Sequence, residues 1–89
     1  MAQYRKKPVV IEAFQFTGPW SGPGIPQWYT DAFSRNEVTH SGNWETDAAL
    51  IKTLEGTMKV EKGDWVIRGV KGELYPCKDD IFRATYDLV

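Results

Sequence analysis

The sequence predicts a small α+β domain, built on a strongly bent antiparallel sheet or a partly open barrel with one inserted helix and a short C-terminal helix. Short β-branched and aromatic runs recur between turn-forming residues, above all after residue 48. One amphipathic pattern of helical period lies early in the chain, at residues 25–35. A chain of 89 residues has room for one core, so residues 1–89 are expected to form a single domain.

The first predicted strand, residues 9–16, is interrupted by only two polar residues, Glu12 and Gln15. Such a run favours a central strand that is buried on most of both faces. The next residues, 17–24, contain three glycines and two prolines and are therefore expected to form a loop. Trp20 lies in this loop, and two alternatives are open for it: the ring plugs the end of a barrel, or it lines a pocket.

The predicted helix covers residues 25–35, with Pro26 in its first turn and Asn36 as its stop. Its apolar face is formed by Ile25, Tyr29, Ala32 and Phe33. Residues 37–44 are compatible with a short strand pair around Ser41-Gly42, although the pattern there is weak.

From residue 48 the pattern is that of a β-meander. Strands at Leu50–Leu54 and Thr57–Val60 flank Glu55-Gly56, a two-residue turn. Residues 61–64 turn the chain again, and Gly63 is free to adopt a positive φ there. The remaining elements are a strand that starts at Trp65, a turn at Lys71-Gly72, an antiparallel return at residues 74–78, and a short helix at residues 79–86 capped by Asp79 or Asp80.

Composition limits the classes of function. Eleven basic and twelve acidic residues give a formal net charge of −1, whereas nucleic-acid binders usually carry a net positive field. The single cysteine rules out an internal disulfide and favours a reducing compartment. No run approaches the ~20 apolar residues of a membrane span. The chain is therefore expected to be soluble and intracellular.

Residues typical of catalysis are sparse. His40 is the only histidine and Cys77 the only cysteine, and a nucleophile–base pair would need them adjacent in space with a third, orienting group. Zinc sites usually need four ligands at characteristic spacings, which the sequence lacks. We therefore expect no catalytic residues, no metal and no cofactor, and an enzyme is the least favoured class.

The turn Gly69–Gly72 fits no phosphate-binding fingerprint and is most simply a hairpin turn. A hairpin tip with free N–H groups can nevertheless hold a phosphate. The basic cluster Arg5, Lys6 and Lys7 is most often a solvated chain end and less often an anion contact.

One group of residues is a candidate ligand site. Aromatic faces combined with guanidinium and ammonium groups suit a flat, anionic ligand such as a nucleotide. The candidate ligand-binding residues are Arg68, Lys71, Tyr75, Lys78, Trp65 and, if the loop folds back, Trp20.

Both ends of the chain resemble a family of small bacteriophage and prophage proteins. The resemblance is carried by YRKKPVVIEA at residues 4–13, GDWVIRGVKGE at 63–73, YPCK at 75–78 and DIF at 80–82, whereas residues 17–49 look like a variable part. It implies a non-virion gene product that acts in the cytoplasm of the infected bacterium. It brings no catalytic residues with it.

Two main functions remain open. In the first, the protein sequesters a nucleotide-like signalling molecule to counter host defence, as a homo-oligomer that encloses the ligand. In the second, it is an interaction module for a host protein or RNA, similar in its glycine-spaced hairpins to SH3-like barrels. A nucleotide hydrolase is a third and weaker alternative.

Overall fold

The computed structural model describes residues 1–5, 7–40 and 48–89. Its elements are β1 (Glu12–Gln15), α1 (Gln27–Ser34), β2 (Val38–His40), β3 (Ala49–Thr53), β4 (Gly56–Val60), β5 (Trp65–Arg68), β6 (Leu74–Cys77) and α2 (Asp79–Thr85). The strands form two antiparallel sheets of three strands each, a first sheet in the order β1-β5-β6 and a second in the order β2-β3-β4. The predicted α+β class is confirmed, but two small sheets replace the single bent sheet or open barrel.

The first strand differs from its prediction as a central strand. β1 lies at an edge of the first sheet, where its residues Glu12 and Gln15 pair with Arg68 and Trp65 of β5. Val9 and Val10 before it are exposed, Val10 at 77%, and Ile11 is half-buried. The reason is geometric: β5 ends at Arg68, where the chain turns into the next hairpin, so residues before β1 have no strand of this sheet beside them.

Helix α1 is shorter than predicted at its start and ends as predicted. Pro26 precedes the helix as its N-cap residue instead of lying in the first turn. Asn36 adopts a left-handed φ of 61°. Its N–H donates to the carbonyl of Phe33 at 3.1 Å, and the N–H of Glu37 donates to Ala32 at 3.0 Å. These two bonds are the Schellman pattern that satisfies the last carbonyls of a helix.

The turns after residue 48 are close to their predicted places. The β3–β4 turn is centred on Leu54-Glu55, one residue earlier than expected, because Gly56 uses its positive φ of 113° to start β4. Gly63 has the predicted positive φ, 95°. The strand β2 pairs with β3, and the hairpin predicted around Ser41-Gly42 lies outside the described residues.

The core lies between the two sheets and α1. It contains Phe14, Phe16, Tyr29, Ala32, Val38, Ala49, Ile51, Val60, Val66 and Leu74. Because side chains alternate along a strand, Val66 faces this core while Trp65 and Ile67 face the opposite side of the first sheet. Ile67 is nevertheless 1% exposed.

Helix α2 covers that outer face. The ring of Phe82 stacks on Trp65 with centroids 4.0 Å apart and planes 6° apart. Lys78, not Asp79 or Asp80, occupies the N-cap position, and no side chain caps the helix. Asp79 is instead the first helical residue, and its carboxylate accepts a hydrogen bond from the indole Nε1 of Trp65 at 2.8 Å.

Within the residues that the structure describes, neither helix is long or apolar enough to cross a bilayer.

Candidate functional site

Three of the six predicted ligand residues are engaged in contacts of the fold itself. Trp65 is held between the first sheet and α2 by the Phe82 stack and the bond to Asp79. Arg68 lies opposite Glu12 across the β1–β5 ladder, with Nη1 and Oε1 3.6 Å apart. The predicted group therefore does not converge on one open site.

Lys78 is the most firmly engaged of the predicted cations. Its Nζ lies 3.0 Å from Oδ2 of Asp64 and 3.5 Å from Oε2 of Glu61. Asp64 is buried, with 7% of its surface exposed, and the same oxygen accepts the N–H of Glu61 at 3.0 Å. The hydrogen bond to Asp64 raises the pKa of Lys78. Without this lysine, a buried carboxylate would lose its counter-charge.

Trp20 lies elsewhere, on the helix side of the molecule. Its ring stacks on Phe33 of α1 with centroids 4.8 Å apart, and its carbonyl accepts a hydrogen bond from Oγ1 of Thr30 at 3.0 Å. Neither predicted alternative describes it fully. The strands that the structure describes close no barrel for it to plug, and one face of its ring is covered by the helix.

The hairpin tip at residues 69–72 was expected to offer free N–H groups to a phosphate. In the structure, a carboxylate of the same chain already occupies it. The carboxylate of Glu73 accepts the N–H of Lys71 at 3.0 Å. It also lies against the Cα of Gly69, where any side chain would collide with it. The N–H of Gly72 donates to the carbonyl of Gly69 at 3.0 Å. Glu73 thus occupies the position in which a phosphate would have to bind.

Lys71 and Tyr75, the remaining two predicted residues, share a groove that we call the inter-hairpin groove. It has a volume of about 980 Å³ and lies between the β3–β4 hairpin and the β5–β6 hairpin. Burial raises the pKa of Tyr75 to about 12, with a hydrogen bond that its hydroxyl donates to Tyr86 as the next cause. The phenol is therefore neutral at physiological pH and is suited to packing and hydrogen bonding.

The inter-hairpin groove has an apolar interior that continues the core. Ile51, from β3, and Leu74, from β6, belong to the core cluster and also line the groove. The walls carry apolar residues that no other described part of the chain covers. Leu54, at one hairpin tip, is fully exposed, and Val70, at the other tip, is 71% exposed. Exposed apolar side chains gathered around a groove are typical of binding surfaces.

Sequence reasoning missed most of this groove. It singled out Lys71 and Tyr75 but not Leu54, Met58 or Val70, because a leucine or valine beside a turn is a common surface residue. The available signal was the presence of a large aliphatic residue at both hairpin tips, where polar turn formers are usual. Their meeting across one groove depends on how the two sheets pack, which no local pattern specifies.

Sequence reasoning also missed a partly buried polar pair at the edge of the core. The hydroxyl of Tyr29 lies 2.8 Å from Nε2 of His40. Burial lowers the pKa of His40, while a hydrogen bond with the backbone of Gly18 opposes this shift. A backbone hydrogen bond that raises the pKa of a histidine is one that the ring donates, so we assign the hydroxyl of Tyr29 as the donor to Nε2. Burial raises the pKa of Tyr29.

His40 and Cys77 do not belong to one site. His40 lies in the second sheet and contacts Tyr29, Phe16 and Phe33, whereas Cys77 lies in the first sheet. Burial and then the charges of Asp80 and Asp64 raise the pKa of the Cys77 thiol. A raised pKa makes a thiol a poorer nucleophile.

A second groove, of about 630 Å³, lies on the outer face of the first sheet. Residues before β1, including Val9 and Val10, form one side, and α2 with the residues after it forms the other. None of the predicted ligand residues except Trp65 reaches it. No group of three or more potential metal ligands occurs in the parts of the chain that the structure describes.

Comparison with known proteins finds no matching family model, no matching curated protein and no matching solved structure. The function has to be inferred from the molecule's own surfaces.

Proposed function

We propose that this protein is an interaction domain that binds a segment of another protein in the inter-hairpin groove. The observation that carries the proposal is the pair of uncovered aliphatic side chains, Leu54 and Val70, on either side of a groove whose interior is continuous with the core. Burial of apolar anchors in such a groove is the main source of affinity in protein recognition.

The engagement of the predicted ligand residues supports an interaction domain over a nucleotide binder. Arg68 and Lys78 are paired with acidic groups of the same chain, and Glu73 fills the hairpin tip. A ligand phosphate would have to break these contacts. The balanced net charge of −1 likewise favours protein over RNA as the partner.

The resemblance of the chain ends to phage and prophage proteins suggests the setting. In this proposal the protein acts in the cytoplasm of the infected bacterium and binds a host protein, for instance a component of host defence. The expectation that it acts as a homo-oligomer stays a prediction.

Site-specific photo-crosslinking tests this proposal. A photoreactive residue is placed at position 54 or 70 in protein expressed in the bacterial host, and at position 59 as the control. Lys59 is on the face of β4 opposite to Met58, which lines the groove. We expect positions 54 and 70 to crosslink to the same partner and position 59 to give no such product. Equal crosslinking at all three positions, or none, would refute the proposal.

A nucleotide-like ligand is the second candidate, because Lys71 and Tyr75 do line one groove, together with Lys52. Native mass spectrometry of protein purified from infected cells tests it directly. A small co-purifying molecule, lost in the denatured protein and in a Lys71→Ala variant, would replace a protein segment as the occupant of the groove.

A further inference from the structure

Strand β1 leaves one of its two edges without a partner strand. In the first sheet it pairs with β5 on one side, and no other described strand lies on its other side. The N–H of Phe16 donates to the carbonyl of Asp64, so the peptide groups of Phe16 point to the β5 side. Because these groups alternate in direction along a strand, those of Ala13 and Gln15 point away from β5. Their N–H and C=O groups have no backbone partner among the described residues, and they form what we call the free edge of β1.

The residues directly before β1 continue this edge but belong to no strand. Val9, Val10 and Ile11 are three successive β-branched residues, a type that favours strands. They belong to the strand that the sequence predicts, yet the observed strand begins only at Glu12. The ladder begins there because β5 has no residue beyond Arg68, which is the partner of Glu12. A second strand on the free edge would supply the partner that these three residues lack.

The other outermost strands of the two sheets each have a feature that discourages the addition of a strand. β6 contains Pro76, which has no N–H to donate, β2 has only three residues, and β4 carries Lys59. β1 contains no proline, and its one charged residue, Glu12, is paired with Arg68 of β5. The free edge of β1 is therefore the edge best suited to receive a strand.

We propose that a second copy of this chain occupies the free edge, with the two β1 strands antiparallel and Ile11 opposite Ile11 of the partner subunit. The two first sheets, of three strands each, then form one continuous sheet across a two-fold axis. This arrangement gives the expected homo-oligomer a specific geometry and is independent of the proposed function. β6, which lines the inter-hairpin groove, is at the opposite end of the first sheet from β1, so both grooves stay open in the dimer.

The backbone of this segment is complementary to itself. In an antiparallel pair centred on Ile11, Val9 lies opposite Ala13 of the partner subunit. These are odd-numbered residues, like Gln15, so their peptide groups point outward once the strand extends to residue 9, and the N–H and C=O groups of the two copies meet across the axis. Pro8 does not interrupt the ladder, because at an even-numbered position its nitrogen points to the other side of the strand.

The side chains along the free edge are also compatible with a second copy. The same register places Lys7 of one copy opposite Gln15 of the other, and Nε2 of Gln15 lies 3.4 Å from Oδ1 of Asp79. Within the described residues, neither Lys7 nor Asp80, which follows Asp79, has an ion-pair partner. A cation of one copy thus meets the acidic start of α2 in the other. The added strand also covers Val9, which is 49% exposed in the single chain.

Sedimentation equilibrium of the purified protein, measured over a series of concentrations, tests the proposal. We expect a dimer with twice the chain mass of 10.2 kDa. Two proline variants form a matched pair, because the ladder with β5 uses neither of the substituted N–H groups. Ile11→Pro removes an outward donor from both copies and is expected to raise the dissociation constant of the dimer at least about tenfold. Val10→Pro removes an N–H that points away from the partner and is expected to leave the dimer intact.

Disulfide crosslinking tests the register. Residues directly opposite each other in an antiparallel pair have Cα atoms about 5.5 Å apart or less, which is within the range of a disulfide. In a Cys77→Ser background, Ile11→Cys is therefore expected to give a covalent dimer under mild oxidation. Leu50→Cys, at an exposed position of the second sheet, is the control and is expected to give none.

The proposal is overturned if the protein has the mass of one chain at every concentration, if the dimer tolerates Ile11→Pro as well as Val10→Pro, or if Leu50→Cys crosslinks as readily as Ile11→Cys. A strand of a different protein at the free edge would give a monomer in isolation and a crosslink from position 11 to that protein in cells, which also overturns it. Circular dichroism verifies that each variant is folded. None of these outcomes bears on the proposed function, because Leu54 and Val70 are not part of this interface.

Discussion

Two tryptophans of this molecule each stack on a phenylalanine of a helix, but the two stacks hold different parts together. Trp65 is in a strand and stacks on Phe82 at 4.0 Å, while its indole N–H donates to Asp79 at 2.8 Å. Trp20 is in a loop and stacks on Phe33 at 4.8 Å, with 45% of its surface exposed. The first stack attaches a helix to a sheet, whereas the second attaches a loop to a helix that the core already holds.

The two stacks differ in how much other packing holds the helix that each tryptophan contacts. α2 has seven residues, none of them buried, and an isolated helix of that length is unstable in water. Its attachment depends on Trp65 and on the carboxylate of Asp79, which also accepts a bond from Arg83. α1 instead contributes Tyr29 and Ala32 to the core. A similar ring pair is thus essential in one place and supplementary in the other.

Trp65→Ala is expected to have the largest effect. It removes the stack and the donor to Asp79 together and should lower the free energy of unfolding by about 3 kcal/mol. Urea denaturation measures this loss. Trp65→Phe is the control: it keeps a ring against Phe82 and loses only the hydrogen bond, so a loss of about 1 kcal/mol is expected. A Trp65→Ala variant as stable as the wild type would contradict the role given to this stack.

Tyr29→Phe tests the core beside the other stack. It leaves the ring packing intact but removes the hydroxyl that bonds to Nε2 of His40, so we expect a loss of about 1–2 kcal/mol. Thermal unfolding followed by circular dichroism gives the value. Tyr4→Phe is the matched control, because Tyr4 is exposed and its hydroxyl can bond to water. Equal effects of the two substitutions would show that the buried hydrogen bond contributes nothing.

Trp20→Ala should cost about 1 kcal/mol, since an aromatic pair adds roughly that amount and much of the ring is already in water. The comparison with Trp65→Ala under the same conditions is the direct test of the contrast drawn above. If Trp20→Ala proved the more harmful of the two, the loop and not α2 would be the part that depends on its tryptophan.

The smallest effect in this series is a dependence of stability on pH. Burial lowers the pKa of His40 below its ordinary value of 6.5, so the folded state favours the neutral ring. The stabilisation is complete above pH 6.5 and is lost as the pH falls through the lowered pKa. Denaturation curves between about pH 7.5 and about pH 5 should detect it. His40→Gln should flatten the dependence of unfolding free energy on pH in this range. An unchanged slope would show that other groups cause the pH dependence.

Much of the fold was accessible to local reasoning. Asn36 ends α1, Gly63 provides a positive φ, and the four strands after residue 48 follow one another with the predicted short turns. These features depend on a few adjacent residues and on steric limits of the backbone. The predicted cap of α2 was wrong because Asp79 makes a non-local contact instead. Its carboxylate accepts a hydrogen bond from Trp65, which is fourteen positions earlier in the chain.

The candidate site was much less accessible. Charged residues at hairpins looked available for a ligand, but Arg68 and Lys78 are paired with Glu12 and Asp64. Which charges remain uncompensated depends on contacts between residues distant in sequence. Lys71 was identified from its position at a turn, and Lys52, in the middle of a strand, was not.

The sequence by itself determined the α+β class, most turns, the end of α1 and the near-zero net charge. Each of these is set by backbone sterics or by composition. Only the tertiary structure decided that the strands divide into two sheets, that β1 is an edge strand, and that Leu54 and Val70 share a groove. The physical reason is that sheet partners and surface clusters arise from the packing of apolar faces between distant segments, and many packings are compatible with the same local pattern.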